Sequence, residues 1–160
     1  MAMDQFIKIG DLKGEAQDKV HKDEIDVLAW SWGLSNSGTS HAGSGSGGGK
    51  VSVQDISLTK YVDKSSPDLM LACCNGKHYP EAKLVVRKAG EKPLEYLIVT
   101  MTDVMVTAVS TGGSGGEDRL TENVTLNFSK VKVDYTEQTA TGGTGAKPSM
   151  GWDIAENVKL

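Results

Sequence analysis

Leu120-Thr-Glu-Asn-Val-Thr-Leu-Asn-Phe-Ser-Lys-Val-Lys-Val-Asp-Tyr135 is the stretch that decides the fold. Val124, Leu126 and Phe128 are apolar on even positions, whereas Val131, Val133 and Tyr135 are apolar on odd ones. A period of two is a strand with one buried face, because a helix would place its apolar residues three and four apart. The change of phase at Ser129–Lys130 exchanges the faces, which one inserted residue in a β-bulge would do. Val51 to Val62 repeats the device, apolar at Val51 and Val53 and then at Ile56 and Leu58, with the slip near Asp55. Two long strands bulged in this way predict a bent sheet or a barrel.

Working outward, Phe6 to Ile9 reads as a short strand closed by Gly10. Ile25 to Trp32 fits either a helical face or a strand, and its two tryptophans followed by Gly33 favour the strand. Ala82 to Ala89 and Leu94 to Met101 flank Gly90-Glu91-Lys92-Pro93 as a hairpin, and Asp103 to Ser110 reads as a further strand. One helix is expected, Ser66 to Gly76, with Ser66 as cap, Pro67 at the first helical position and Gly76 at the exit. The 15 Val, 12 Thr and 6 Ile agree with a mainly β chain. At 160 residues it makes a single domain, 1–160, large enough to bury a core without metal or disulfide.

Charge excludes some functions. The net charge is −4, with Arg87 and Arg119 the only arginines and no basic run, which argues against a nucleic-acid partner. The longest apolar run, Leu69 to Cys74, is far short of the roughly 20 residues of a spanning helix. The first residues show no charged region followed by an apolar one, so a cytoplasmic start is expected. Cys73 and Cys74 are adjacent and read as free thiols, since neighbouring α-carbons lie about 3.8 Å apart, below the usual disulfide range.

The candidate chemistry is thin. Gly43-Ser-Gly45-Ser-Gly-Gly48 matches the glycines of a dinucleotide fingerprint, yet Val51 opens a strand where that motif needs a helix. Gly49-Lys50 fails as a phosphate loop, because Ser44 and Val51 stand where that motif wants Gly and Ser or Thr. His21, His41 and His78 are far apart and read as surface residues, and Asp23, Glu24 and Asp26 as solvated charges at a strand entrance. No catalytic triad or metal set emerges, so neither an enzyme nor a cofactor is expected. One pattern has a positive reading. Thr121, Asn123, Thr125, Asn127 and Ser129 form a strand face that is polar and uncharged. Solvent faces ordinarily carry Lys and Glu, which also guard sheet edges, so this one suits a channel lining or an interface. A monomeric β-barrel holding a small ligand among Trp30, Trp32 and Trp152 is the other reading.

Several blocks in order resemble one family: Phe6-Ile-Lys-Ile-Gly-Asp, Glu24-Ile-Asp-Val-Leu-Ala-Trp-Ser-Trp-Gly, Asp55-Ile-Ser-Leu-Thr-Lys-Tyr with Asp63-Lys-Ser, Gly76-Lys-His-Tyr-Pro, Val109 through Phe128, and Gly151-Trp152. Together they cover essentially the whole chain and resemble the haemolysin-coregulated protein family, Hcp, the tube subunits of bacterial type VI secretion. The resemblance implies a β-barrel of two packed, mostly antiparallel sheets with one short flanking helix, assembled as a homohexamer. It also implies rings that stack into a tube within a contractile sheath, under a spike protein of the valine-glycine-repeat family. The tube is cytoplasmic until contraction expels it without a signal peptide, and small effector proteins ride in the lumen. By position, Gly43, Gly45, Gly47, Gly48, Gly49 and Lys50 match the loop that reaches the next ring. Ser31 and the 112–116 turn with Ser114 match lumen features, beside Thr121, Asn123, Thr125 and Asn127.

Overall fold

The computed structural model describes residues 3–38, 49–90 and 92–160. Among them run ten strands and one helix: β1 (Met3–Ile9), β2 (Ile25–Ser31), β3 (Leu34–Ser35), β4 (Ser52–Val53), β5 (Ile56–Tyr61), α1 (Ser66–Asn75), β6 (His78–Lys88), β7 (Leu94–Gly112), β8 (Thr121–Tyr135), β9 (Ser149–Asp153) and β10 (Val158–Lys159). The fold is mainly β. The order β8-β5-β2-β1-β6-β7 returns to β8, closing a six-stranded antiparallel barrel, with β9 and β10 added beyond β8 and β3 pairing β4 as a second, two-stranded sheet. Inward-facing Ile7, Ile9, Leu58, Leu84, Met101 and Leu126 are fully buried and fill the barrel, as side chains do in barrels this small.

The two expected phase slips have different causes. Near Asp55 the strand is interrupted, since Gln54 and Asp55 lie between β4 and β5. At Ser129–Lys130 the expected bulge is absent: Thr102 pairs Lys130 and Val104 pairs Phe128, so the register is unchanged across the site. The slip is shared by both strands instead. β7 passes from buried Val99 and Met101 to buried Val104 and Val106, while β8 passes from Val131 to Phe128. Asp103, at φ 57, makes the corner, a left-handed conformation that a short polar residue tolerates better than a β-branched one. The extra residue is Thr107, between the pairs Val106–Leu126 and Ala108–Thr125. The corner falls where β8 leaves β5, its partner through Leu126, for β9, its partner from Lys130. The expected strand Asp103 to Ser110 is the second half of β7.

Helix α1 is capped one residue earlier than expected, with Ser65 at the N-cap, Ser66 as its first residue and Pro67 in the first turn. Ser66 is not the cap; its hydroxyl is buried and donates to Glu122 Oε1 at 2.5 Å. Gly76 ends the helix at φ 68, its N–H donating to Ala72 O at 3.0 Å, the left-handed exit that glycine adopts without a Cβ penalty. Buried Ser66, Leu69 and Ala72 lie on one face of the helix, which packs on β7.

Candidate functional site

Four strands build one outward face, and the register fixes which side chains share it. Ser31 on β2 pairs Ser57 on β5, which pairs Thr125 on β8, which pairs Ala108 on β7. The next row is Ala29, Thr59, Asn123 and Ser110, and Tyr61, Thr121 and Gly112 follow. The polar wall read from β8 alone is therefore four strands wide, and its middle rows are small and uncharged throughout. Thr59 Oγ1 donates to Asn123 Oδ1 at 2.7 Å, tying two strands across it. Asn127 lies at one end, where its Nδ2 donates to Asp55 Oδ1 at 2.9 Å and Thr107 Oγ1 donates to Asp55 Oδ2 at 3.1 Å. Ser114 sits in the β7–β8 turn at the other end, in a cleft shared with Ser110, Thr121 and Asn123.

Charge is confined to the two ends. Asp55 marks one. At the other, Arg119 stacks its guanidinium 3.7 Å from the centre of the Tyr61 ring, in a cleft that Asp26 also lines. Burial pushes the Asp26 carboxyl up from its ordinary value, with Arg119 opposing the shift.

The face has two open edges. β1 reaches β2 only at Ile25 and Asp26; farther along, the Gln5 side chain takes its place, with Nε2 3.4 Å from Val27 O and 3.3 Å from Leu28 O, while Gln5 Oε1 accepts Trp30 Nε1–H at 2.8 Å. β6 reaches β7 only as far as Met105. Among the described residues, β2 beyond Asp26 and β7 beyond Met105 each have a strand on one side alone.

Of the loop matched to ring stacking, Gly43, Gly45, Gly47 and Gly48 lie outside the described residues. Gly49 and Lys50 are described and exposed, at the far end of a ribbon of β3 and β4 that extends the β2–β5 hairpin past the end of the barrel. Gln54 N–H donates to Gly33 O at 3.0 Å and Trp32 Nε1 to Gln54 O at 2.9 Å, holding its base together, while Asn36 Nδ2 donates to Gly49 O at 2.7 Å at its far end.

Two features escaped the sequence reading. Lys60 and Glu122 are fully buried charges, paired across β5 and β8 at 2.5 Å, with Lys60 also donating to Asp63 and Ser66. Both occupy the inward phase of otherwise apolar alternations, which was the available signal. His21, expected on the surface, is 6 % exposed. The three tryptophans are half-buried and pack against the core. Both cysteines are free.

A family model described as "Type VI secretion system effector, Hcp" matches residues 6–135. The chain belongs to the Hcp family. It is 64% identical over 161 residues to protein hcp1 of Pseudomonas aeruginosa, covering 99% of each chain. The crystal structure of Hcp1 from Salmonella typhimurium superposes with a TM-score of 0.82 at 44% identity, over 100% of both chains. A solved type six secretion system protein superposes with a TM-score of 0.93 at 30% identity, over 99% of this chain and 100% of that one. Hcp proteins are structural, secreted components of type VI secretion, and the β-barrel fold is theirs. Among the described residues no helix is long and apolar enough to cross a membrane, and no cluster of His, Cys, Asp and Glu is arranged to hold a metal ion.

Proposed function

We propose that the chain is a non-catalytic ring subunit of the type VI inner tube, whose uncharged four-strand face lines the lumen. The observation that carries this reading is the pairing of that face with two open edges. The strands β2, β5, β8 and β7 alternate in direction, so the free edge of β7 in one copy and that of β2 in the next are antiparallel when copies are related by rotation about the strand direction. Six copies would then share one closed sheet of about 24 strands, roughly 115 Å around and roughly 37 Å across, wide enough for an aqueous channel.

Small uncharged side chains let a folded effector slide past without electrostatic capture. The hairpin ribbon carrying Gly49 and Lys50 supports contact with the next ring, through the loop to which Gly43, Gly45, Gly47 and Gly48 belong. The stacked tube sits inside the contractile sheath, beneath a spike of the valine-glycine-repeat family. Sheath contraction carries it from the cytoplasm to the outside with no need of a signal peptide. No nucleic acid, membrane insertion or cofactor takes part.

Light scattering tests the ring. The expected particle is roughly six times the 17.0 kDa chain, and a stable 17.0 kDa particle refutes the reading. Thr125→Lys tests the lumen: rings of unchanged mass with altered effector retention are expected, whereas loss of rings makes this face a contact between subunits.

A further inference from the structure

We infer that residues 12–24, between β1 and β2, form a strap held shut by the doubly protonated ring of His21. This is a property of the single copy, independent of what it assembles into. The strap folds on itself through Gly14 N–H to Asp23 O at 2.8 Å, Ala16 N–H to Glu24 O at 2.9 Å and Asp23 N–H to Ala16 O at 2.9 Å. It lies on the outer side of β1 and β6, where Phe6 and Val85 pair directly and are buried although they stand apart from the barrel core.

Two polar ties fasten it. In the first, Arg87 on β6 grips Asp18 with both terminal nitrogens, at 3.0 and 2.6 Å. Asp18 in turn accepts the N–H groups of Val20 and His21, which sets the direction of the His21 side chain. In the second tie the imidazole stacks on Phe6, centroids 4.6 Å apart, with Nδ1 3.0 Å from Glu24 Oε2 and Nε2 2.6 Å from Glu95 Oε1. Glu24 belongs to the strap and Glu95 to β7, so this ring joins the strap to a different strand from the one Arg87 uses.

The chemistry of the ring makes the second tie conditional. A neutral imidazole has one N–H and one lone pair, whereas the imidazolium donates from both nitrogens. With carboxylates on both sides, only the imidazolium satisfies both contacts; the neutral ring turns a lone pair towards one anion. Histidine is the side chain that changes charge near neutral pH. The other charges facing this cleft are Lys8 on β1 and Glu81 and Lys83 on β6. Arg87 lies beside Phe6, 5.2 Å from its ring centre, its charge met by Asp18 and Asp4. None of them replaces the missing proton. As pH rises the His21 tie is lost and the Arg87–Asp18 tie persists, so the strap loosens between Asp18 and β2 and covers Phe6 and Val85 less tightly.

Hydrogen–deuterium exchange of the full chain in its assembled state tests this, with rates corrected for the intrinsic effect of pH. Protection of the amides at 14–24 is expected to fall about tenfold or more from mildly acidic to alkaline solution. In His21→Gln it is expected to be low and flat, and in Asp18→Asn lower throughout with the same slope. Exchange of the imidazole carbon-bound proton, followed in the unmutated protein, is expected to show a His21 transition coinciding with the strap amides. A pH-independent strap in the unmutated protein, an unchanged slope in His21→Gln, or a His21 transition at another pH overturns the inference.

Discussion

Replacing Lys60 by methionine tests whether the buried ion pair at the end of the wall governs stability. All three ammonium donors of Lys60 are used, on Glu122 Oε1 at 2.5 Å, Asp63 Oδ1 at 3.1 Å and Ser66 Oγ at 3.2 Å. In Lys60→Met the Glu122 carboxylate stays fully buried with only the Ser66 hydroxyl on Oε1, and its Oε2 has no partner even in the unmutated protein. Breaking a buried pair from one side costs about 3–5 kcal/mol. For a chain of this length that lowers Tm by roughly 6–20 °C. The double variant Lys60→Met, Glu122→Leu removes both charges and keeps the volume, so its stability is expected within about 1 kcal/mol of the unmutated protein. The assay is urea unfolding at one fixed chain concentration, because assembly adds its own stabilisation to whichever variant associates. A Lys60→Met cost below about 1 kcal/mol refutes the reasoning, and so does a double variant as unstable as the single one.

Asp18 gives a pH prediction. The side-chain hydrogen bond from Arg87 holds its carboxyl well below the usual carboxylate range, despite the opposing effect of burial. A depressed folded value means that the stabilisation is complete above the unfolded value and is lost as pH falls towards the folded one. Asp18→Asn is therefore expected to destabilise at neutral pH and to show a shallower loss in strong acid; parallel acid-unfolding curves would contradict this. Gly76→Ala places a Cβ at φ 68, with about 1 kcal/mol of destabilisation expected in thermal unfolding. Leu58→Ala, deep in the barrel, should cost about 2–5 kcal/mol by denaturant titration, and a smaller loss would mean that the barrel collapses around the gap.

What the sequence disclosed was what depends on one strand at a time. Alternation along β8 showed both its buried residues and its uncharged wall, and Pro67 and Gly76 bracketed the helix. Pairing was hidden. The wall extends to Ser57, Thr59, Ala29 and Ser110 because β5 lies between β2 and β8, an order that no local pattern states. The slip at Ser129 looked like an inserted residue because periodicity reports a change of face and cannot report that β7 changes with it at Asp103. Ser66 looked like a cap because its true partner, Glu122, is 56 residues away. His21 looked exposed because Phe6 and Glu95, which bury it, come from two other strands.

The ribbon of β3 and β4 leaves the barrel from the Asp55 end only, while the 113–120 turn and Arg119 occupy the opposite end. Each copy is therefore a vector. Any stack that joins ribbon to barrel inherits that vector, with a head unlike its tail and growth chemistry that differs at the two. Such a filament adds subunits in one orientation, is finished by a cap that fits one end, and presents its cargo with a fixed front and back.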